Sequence, residues 1–183
     1  MQKTPNVFIN RTLNMKKITH IGLDMDHTLI RYNSANFETL THKIMTEKLV
    51  QLKGYPKKVL ELKFSYDYAI RGLVIDKNRG NLLKLSRYGA IRASRHGIHR
   101  IDYKTQQQIY RGTYIDLGDA AYDPIDTSFS IAFAALYAQI VDLKDNAPEG
   151  KDIPNYYMIS EDLLYVLDNS HRDGSIKNIV AQN

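Results

Sequence analysis

Two aspartates, Asp24 and Asp26, stand one residue apart with Thr28 after them, directly behind the apolar run Ile18 to Leu23. Side chains alternate along an extended chain, so both carboxylates share one face and project from the end of that run, where open α/β sheets bind their ligands. Carboxylates held this close repel unless a cation lies between them or one takes a proton. Either outcome suits phosphoryl transfer. Asp24 is the expected nucleophile, attacking phosphorus to form an aspartyl-phosphate and so dividing hydrolysis into two easier steps. Asp26 is the expected general acid and base, a role typically worth about 10²- to 10⁴-fold. A Mg²⁺ held by the Asp24 carboxylate and the main-chain carbonyl of Asp26 would screen the nucleophile from the phosphate, since hard oxygen ligands favour that ion. Thr28 steadies the following turn. His27 has no second His, Asp or Glu at ligand spacing and reads as a loop residue. The bland alternative makes Asp24 and Asp26 turn and helix-cap residues, because so short a pattern also recurs by chance.

The elements that must position these groups follow an α/β opening. Ile18 to Leu23 reads as a buried strand, and Phe37 to Lys53 as a helix carrying Leu40, Ile44, Met45, Leu49 and Leu52 on one stripe, closed by Gly54 and Pro56. Gly72 to Asp76, Leu82 to Ser86 and Ala90 to Ser94 then read as an antiparallel meander with glycine-containing turns. Arg71 and Asp76 are expected to fix that meander, not to touch a substrate. Ile125-Asp126-Thr127-Ser128 offers capping side chains before a long apolar helix that ends near Leu143. Ser160 with Glu161 and Asp162 is expected to cap a further helix through about Asn169, with a weakly apolar tail after it.

Bulk properties exclude several classes. With 183 residues, 43% hydrophobic and 25% charged, the chain reads as globular rather than disordered. Cysteine is absent, which rules out a disulfide scaffold and a thiolate zinc site and makes a cytoplasmic home the default expectation. Met1 to Lys17 lacks the apolar core of a secretory signal, and Phe129 to Leu143 is too short and too interrupted to cross a bilayer. The net charge of +5 is uneven: Lys77 to Arg100 contains seven Lys or Arg, plus His96 and His99, and no acidic residue. Such a stretch attracts phosphate in some form, or is simply a solvated hairpin face.

Beyond the aspartate motif, Phe64-x-x-Asp67, Arg71-Gly72-Leu73-Val74-Ile75-Asp76, Gly80-Asn81-Leu82-Leu83-Lys84, Tyr88-Gly89, His96-Gly97 and Ile140-Val141-Asp142 follow one another in an order and spacing that resemble the cytosolic purine 5'-nucleotidases of the haloacid dehalogenase superfamily. The resemblance covers roughly residues 18 to 145. It implies Mg²⁺-dependent hydrolysis of purine nucleoside 5'-monophosphates. It also implies a fold class: α/β, with a partial Rossmann-like core (the first strand and helix, residues 1–40) and an α+β cap of antiparallel meander and helices over residues 41–183. By position, Ile98 and His99 fall where the family stacks on and hydrogen-bonds the base, and Asp142 where an acidic residue meets the nucleotide. The family typically shows an aromatic followed by Asn where this chain has Ile98 and His99, and an aliphatic side chain stacks less well on a purine.

The later motifs of that superfamily, a phosphate-holding Ser or Thr, a Lys and a second aspartate pair, are not recognisable after residue 150. The expectation is therefore a truncated or split nucleotidase whose exposed core strand calls for a homo-oligomer or for the remaining core as partner, with no membrane contact. Two other readings stay open: a non-catalytic module that binds nucleotide or subunits, and nucleic-acid binding through Lys77 to Arg100, for which no recognised module is present.

Overall fold

The computed structural model describes residues 12, 14–26, 28–127 and 130–180. It divides into two compact units, Met1–Tyr32 and Asn33–Asn183.

In the first unit, a 3-10 turn at Met15–Lys17 is capped by the Asn14 side chain, which accepts from the Lys16 amide. The predicted strand Ile18 to Leu23 is not in a sheet, and Ile21 and Leu23 are 74% and 64% exposed. The physical reason is that a strand exists only through its neighbours: among the described residues none pairs with this run, so nothing covers its apolar side chains. Past the aspartates the chain curls back, the Leu29 and Ile30 amides both donating to the Met25 carbonyl at 3.0 Å. Asp26 and Ile30 form an isolated parallel bridge. His27 lies outside the described residues.

The second unit is a mixed α/β assembly. Its first helix, α1 (Ser34–Lys53), starts at the Asn33 cap and ends where Gly54 turns left-handed at φ 72°. A five-stranded antiparallel sheet follows, built from β1 (Leu73–Asp76), β2 (Asn81–Leu85), β3 (Ile91–His96), β4 (His99–Arg100) and β5 (Tyr122–Pro124), in the order β4-β3-β2-β1-β5. The expected meander is present. β4, β5 and the helix α2 (Tyr103–Tyr110) join it, although sequence periodicity did not announce them. The long apolar helix is α3 (Ile131–Asn146), and α4 (Tyr156–Arg172) and α5 (Ser175–Val180) close the unit.

Strand alternation divides the core between the two faces of the sheet. Ile75 and Leu82 face a large cluster with Met45 and Leu49 of α1, Phe133 to Val141 of α3, and Ile159, Leu163 and Val166 of α4. Val74 and Leu83 point the other way, to Tyr110 of α2 and Ile115. Helix α3 is buried along nearly its whole circumference, which explains a sequence apolar on every side rather than on one stripe.

Two helix starts differ from the sequence expectation. For α3, Ser130 is the N-cap residue, but its hydroxyl bonds Thr127 at 2.8 Å and meets no helix amide; Ser128 lies outside the described residues. An amide of its first turn, Ala132 N–H, is instead met by the buried Glu38 carboxylate of α1 at 2.9 Å. Helix α4 begins at Tyr156, not near Ser160, because Asn155 after Pro154 accepts from the Met158 amide at 2.9 Å. Ser160 is interior to the helix and donates to Asp123. Among the described residues no helix is long and apolar enough to cross a membrane.

Candidate active site

The aspartate motif, Asp24-x-Asp26-x-Thr28, belongs to the first unit. Asp24 is exposed, and its carboxylate has no hydrogen-bond or ion-pair partner among the described residues. Asp26 is half-buried, and the Tyr32 hydroxyl donates to its Oδ1 at 2.7 Å. That bond fixes the Asp26 side chain and, with a smaller contribution from burial, raises the Tyr32 phenol above its ordinary range. Asp24 is thus left open to an incoming group while Asp26 is held by a neighbour in the same turn. Among the described residues no cluster of three or more His, Asp or Glu forms a ready-made metal cage. The Asp24 carboxylate and the Asp26 main-chain carbonyl are both hard oxygen donors. One or two carboxylates, completed by water and phosphate oxygens, are an ordinary Mg²⁺ set, so the donors present are compatible with that ion.

The other singled-out residues lie in the second unit, around the β3–β4 turn. His99 and Asp142 are brought together: His99 Nε2 lies 2.9 Å from Asp142 Oδ1. Asn146 donates to the same oxygen at 2.8 Å. His99 is largely exposed, with side-chain exposure of 70% against 25% for Asp142, so its ring remains reachable from solvent. Ile98 is half-buried and packs against the main core cluster.

Why the turn lies where it does is set by Gly97. Its φ is +53°, and a Cβ there would sit 3.0 Å from the Asp142 amide nitrogen and 3.2 Å from the Ala138 carbonyl oxygen. The backbone of the turn therefore rests directly on α3, and only glycine permits both the conformation and the approach. Gly97 N–H also donates to the Gly80 carbonyl at 3.3 Å, tying this turn to the β1–β2 turn.

Sequence reasoning missed the clamp behind the pair. His96 Nε2 lies 2.7 Å from Asp145 Oδ2, and Tyr156 of α4 donates to the other oxygen of Asp145 at 2.9 Å. Within the sheet, His96 Nδ1 meets Asn81 Oδ1 at 2.7 Å, Asn81 Nδ2 donates to the Tyr110 hydroxyl at 2.7 Å, and Tyr110 donates to Asp76 at 2.9 Å. Asp76 is fully buried and also accepts from the Asn78 and Arg79 amides and the Arg79 guanidinium. It holds the meander, as expected; the Arg71 side chain makes no hydrogen bond, ion pair or ring contact among the described residues. The i, i+3 spacing of Asp142 and Asp145 puts both carboxylates on one face of α3, but that spacing does not say which side chains meet them.

Comparison with known proteins places the chain beside proteins named for a 5'-nucleotidase domain. The chain is 26% identical over 167 residues to the human 5'-nucleotidase domain-containing protein 1, covering 86% of this chain and 36% of that one. It is 31% identical over 140 residues to a 5'-nucleotidase domain-containing protein of Dictyostelium discoideum, covering 74% of this chain and 24% of that one. With the bovine 5'-nucleotidase domain-containing protein 1 it shares 28% over 132 residues, 67% of this chain and 29% of the other. The chain thus spans about a third or less of the length of these relatives. The model of the 5' nucleotidase family matches residues 7–183, nearly the whole sequence, and the chain accordingly belongs to that family.

Proposed function

We propose that the chain carries the nucleophile and the nucleotide-facing cap of a Mg²⁺-dependent hydrolase of purine nucleoside 5'-monophosphates, within the haloacid dehalogenase superfamily. Residues 1–40 would open the catalytic core and residues 41–183 form the cap. The observation that carries the reading is Asp24-x-Asp26-x-Thr28, with Asp24 open and Asp26 held by Tyr32, in a chain of the 5' nucleotidase family.

The chemistry follows from the two carboxyls. An oxygen of Asp24 attacks phosphorus and the bond to the ribose oxygen breaks; that oxygen takes the proton of Asp26 and leaves as the nucleoside hydroxyl. Asp26, now ionised, accepts a proton from water. The resulting hydroxide displaces the Asp24 oxygen from phosphorus, which regenerates the carboxylate and releases phosphate. The chemistry a bound Mg²⁺ supplies is neutralisation of charge on the phosphate oxygens, and the Asp24 carboxylate and Asp26 carbonyl would hold it. His99 and Asp142 offer a paired donor and acceptor for the edge of a base, and Ile98 supports the turn from beneath. The exposed Ile21, Leu23, Met25 and Leu29 favour cover from the remaining core or from a second copy.

Phosphate release from inosine monophosphate, with and without Mg²⁺, tests the reading. Asp24→Asn is expected to abolish release and Asp26→Asn to slow it by about 10²-fold or more. Release unaffected by Asp24→Asn would refute the assignment of the nucleophile.

A further inference from the structure

The acid-free stretch from Lys77 to Arg100 is resolved by the structure into groups that already have partners and groups that do not. Lys77 is paired with Asp123 at 3.3 Å and Glu161 at 3.1 Å. Arg79 is bound to Asp76, and Arg87 lies over the Tyr88 ring at 4.6 Å. Arg95 donates to the Asp67 carbonyl at 2.7 Å. His96 and His99 are held by Asp145 and Asp142. What remains is Lys84, Arg92 and Arg100, whose side chains make no ion pair, hydrogen bond or ring contact among the described residues. Lys84 lines a separate hollow with Leu73 and Leu82.

Arg92 and Arg100 both line one groove of about 390 Å³, between the β3–β4 edge of the sheet and the first turn of α2. Gln106 forms its floor and is spoken for: Ser94 donates to its oxygen at 2.9 Å, and its amide donates to the Ile91 carbonyl at 3.3 Å. Asp102 also lines the groove, but its carboxylate is turned onto the Thr105 amide and hydroxyl, whose bonds hold its pKa below the ordinary range. Asp102 stays ionised there but forms no ion pair with Arg92 or Arg100 among the described residues, so the two guanidiniums outnumber the one carboxylate. Arg100 also stands directly across from Arg95 in the β3–β4 pair, a like-charge opposition outside the groove lining. Tyr103, 73% exposed, presents its ring at the rim.

Guanidinium groups match the oxygens of a phosphate bidentately, and the volume lies within the roughly 300 to 1,000 Å³ of small-molecule sites. We propose that the groove between β3, β4 and α2 is a binding site for a small phosphate-bearing ligand, gripped by Arg92 and Arg100. This inference stands apart from the catalytic reading: it uses neither Asp24 nor the His99–Asp142 pair.

Calorimetric titration of the full chain with inorganic pyrophosphate tests it, with thermal melts of each variant to confirm folding. Saturable one-to-one binding is expected, weakened about tenfold or more by Arg92→Gln or Arg100→Gln and lost in the double variant, while Arg87→Gln and Asp142→Asn leave it in place. No binding, binding retained by the double variant, or an equal loss in Arg87→Gln would overturn the proposal, the last by revealing only diffuse charge. A parallel titration with adenosine monophosphate in the Asp142→Asn background separates the sources of the phosphate. Weakening by Tyr103→Ala assigns a ring-bearing ligand stacked on Tyr103, and no weakening assigns phosphate alone.

Discussion

Replacing Glu38 by Gln should change how stability depends on pH, in a direction opposite to that of most carboxylates. Glu38 is 2% exposed, and among the described residues its one hydrogen bond is the one from the Ala132 amide at 2.9 Å. Burial pushes its carboxyl up to about 7 from 4.5, opposed in part by that amide. The folded state therefore keeps the proton to a higher pH than the unfolded chain does. Stability from this group is complete below about pH 4.5 and is lost as pH rises towards 7. At roughly 1.4 kcal/mol for each tenfold change, the difference is about 3 kcal/mol. Gln keeps the acceptor for Ala132 and cannot ionise, so the variant lacks that loss, apart from a pH-independent offset for its new amide group of about 1–3 kcal/mol if unpaired. His42, one turn along α1, has its pKa lowered by burial, but it is common to both proteins and cancels in their difference. Urea denaturation of parent and Glu38→Gln at intervals from pH 5 to pH 8 reads the effect. The variant should gain on the parent by roughly 2 to 3 kcal/mol between the two ends of that range. Parallel curves, with a constant difference, would refute the assignment of a buried carboxyl that resists ionisation.

Four further substitutions probe the scaffold. Gly97→Ala combines a left-handed φ of +53° with backbone atoms 3.0 and 3.2 Å from the new Cβ, whereas Gly72→Ala at φ +83° meets nothing within 4 Å; thermal melts should show Gly97→Ala losing clearly more than the roughly 1 to 2 kcal/mol of backbone strain in Gly72→Ala. Tyr110→Phe removes the donor to buried Asp76 and the acceptor for Asn81, and should destabilise by about 1–3 kcal/mol in urea denaturation. Thr41 Oγ1 is buried without a partner among the described residues, so Thr41→Val should be neutral or stabilising by about 1 kcal/mol in the same assay.

How much of this was legible beforehand depends on whether the cause was local. Helix α1 could be read because Ile44, Met45 and Leu49 form its inward stripe and Gly54 ends it at positive φ. The β1–β2–β3 meander could be read from its glycine turns. Helix α2 could not: Tyr103 to Tyr110 has little apolar periodicity, and its one local mark was Asp102 accepting from Thr105. The start of α4 was hidden because Ser160-Glu161-Asp162 looks like a cap, while the true cap, Asn155, precedes the aromatic pair Tyr156-Tyr157. The strand expected at Ile18 to Leu23 fails for the converse reason, since apolar residues create a strand only where another strand pairs with them. In the site, Asp24 and Asp26 were legible as a local pattern. The clamp of His96, Asp145 and Tyr156 was not, because it joins a sheet turn to two helices far along the chain.

The role of Asp24 is most directly tested by trapping its intermediate. The chain is incubated with inosine monophosphate and Mg²⁺, quenched with borohydride, which reduces an aspartyl-phosphate to homoserine, and mapped by mass spectrometry. Conversion at Asp24 alone, dependent on nucleotide and absent from Asp24→Asn, is the predicted result. Conversion at a different carboxylate, or phosphate release with no conversion at Asp24, would contradict it.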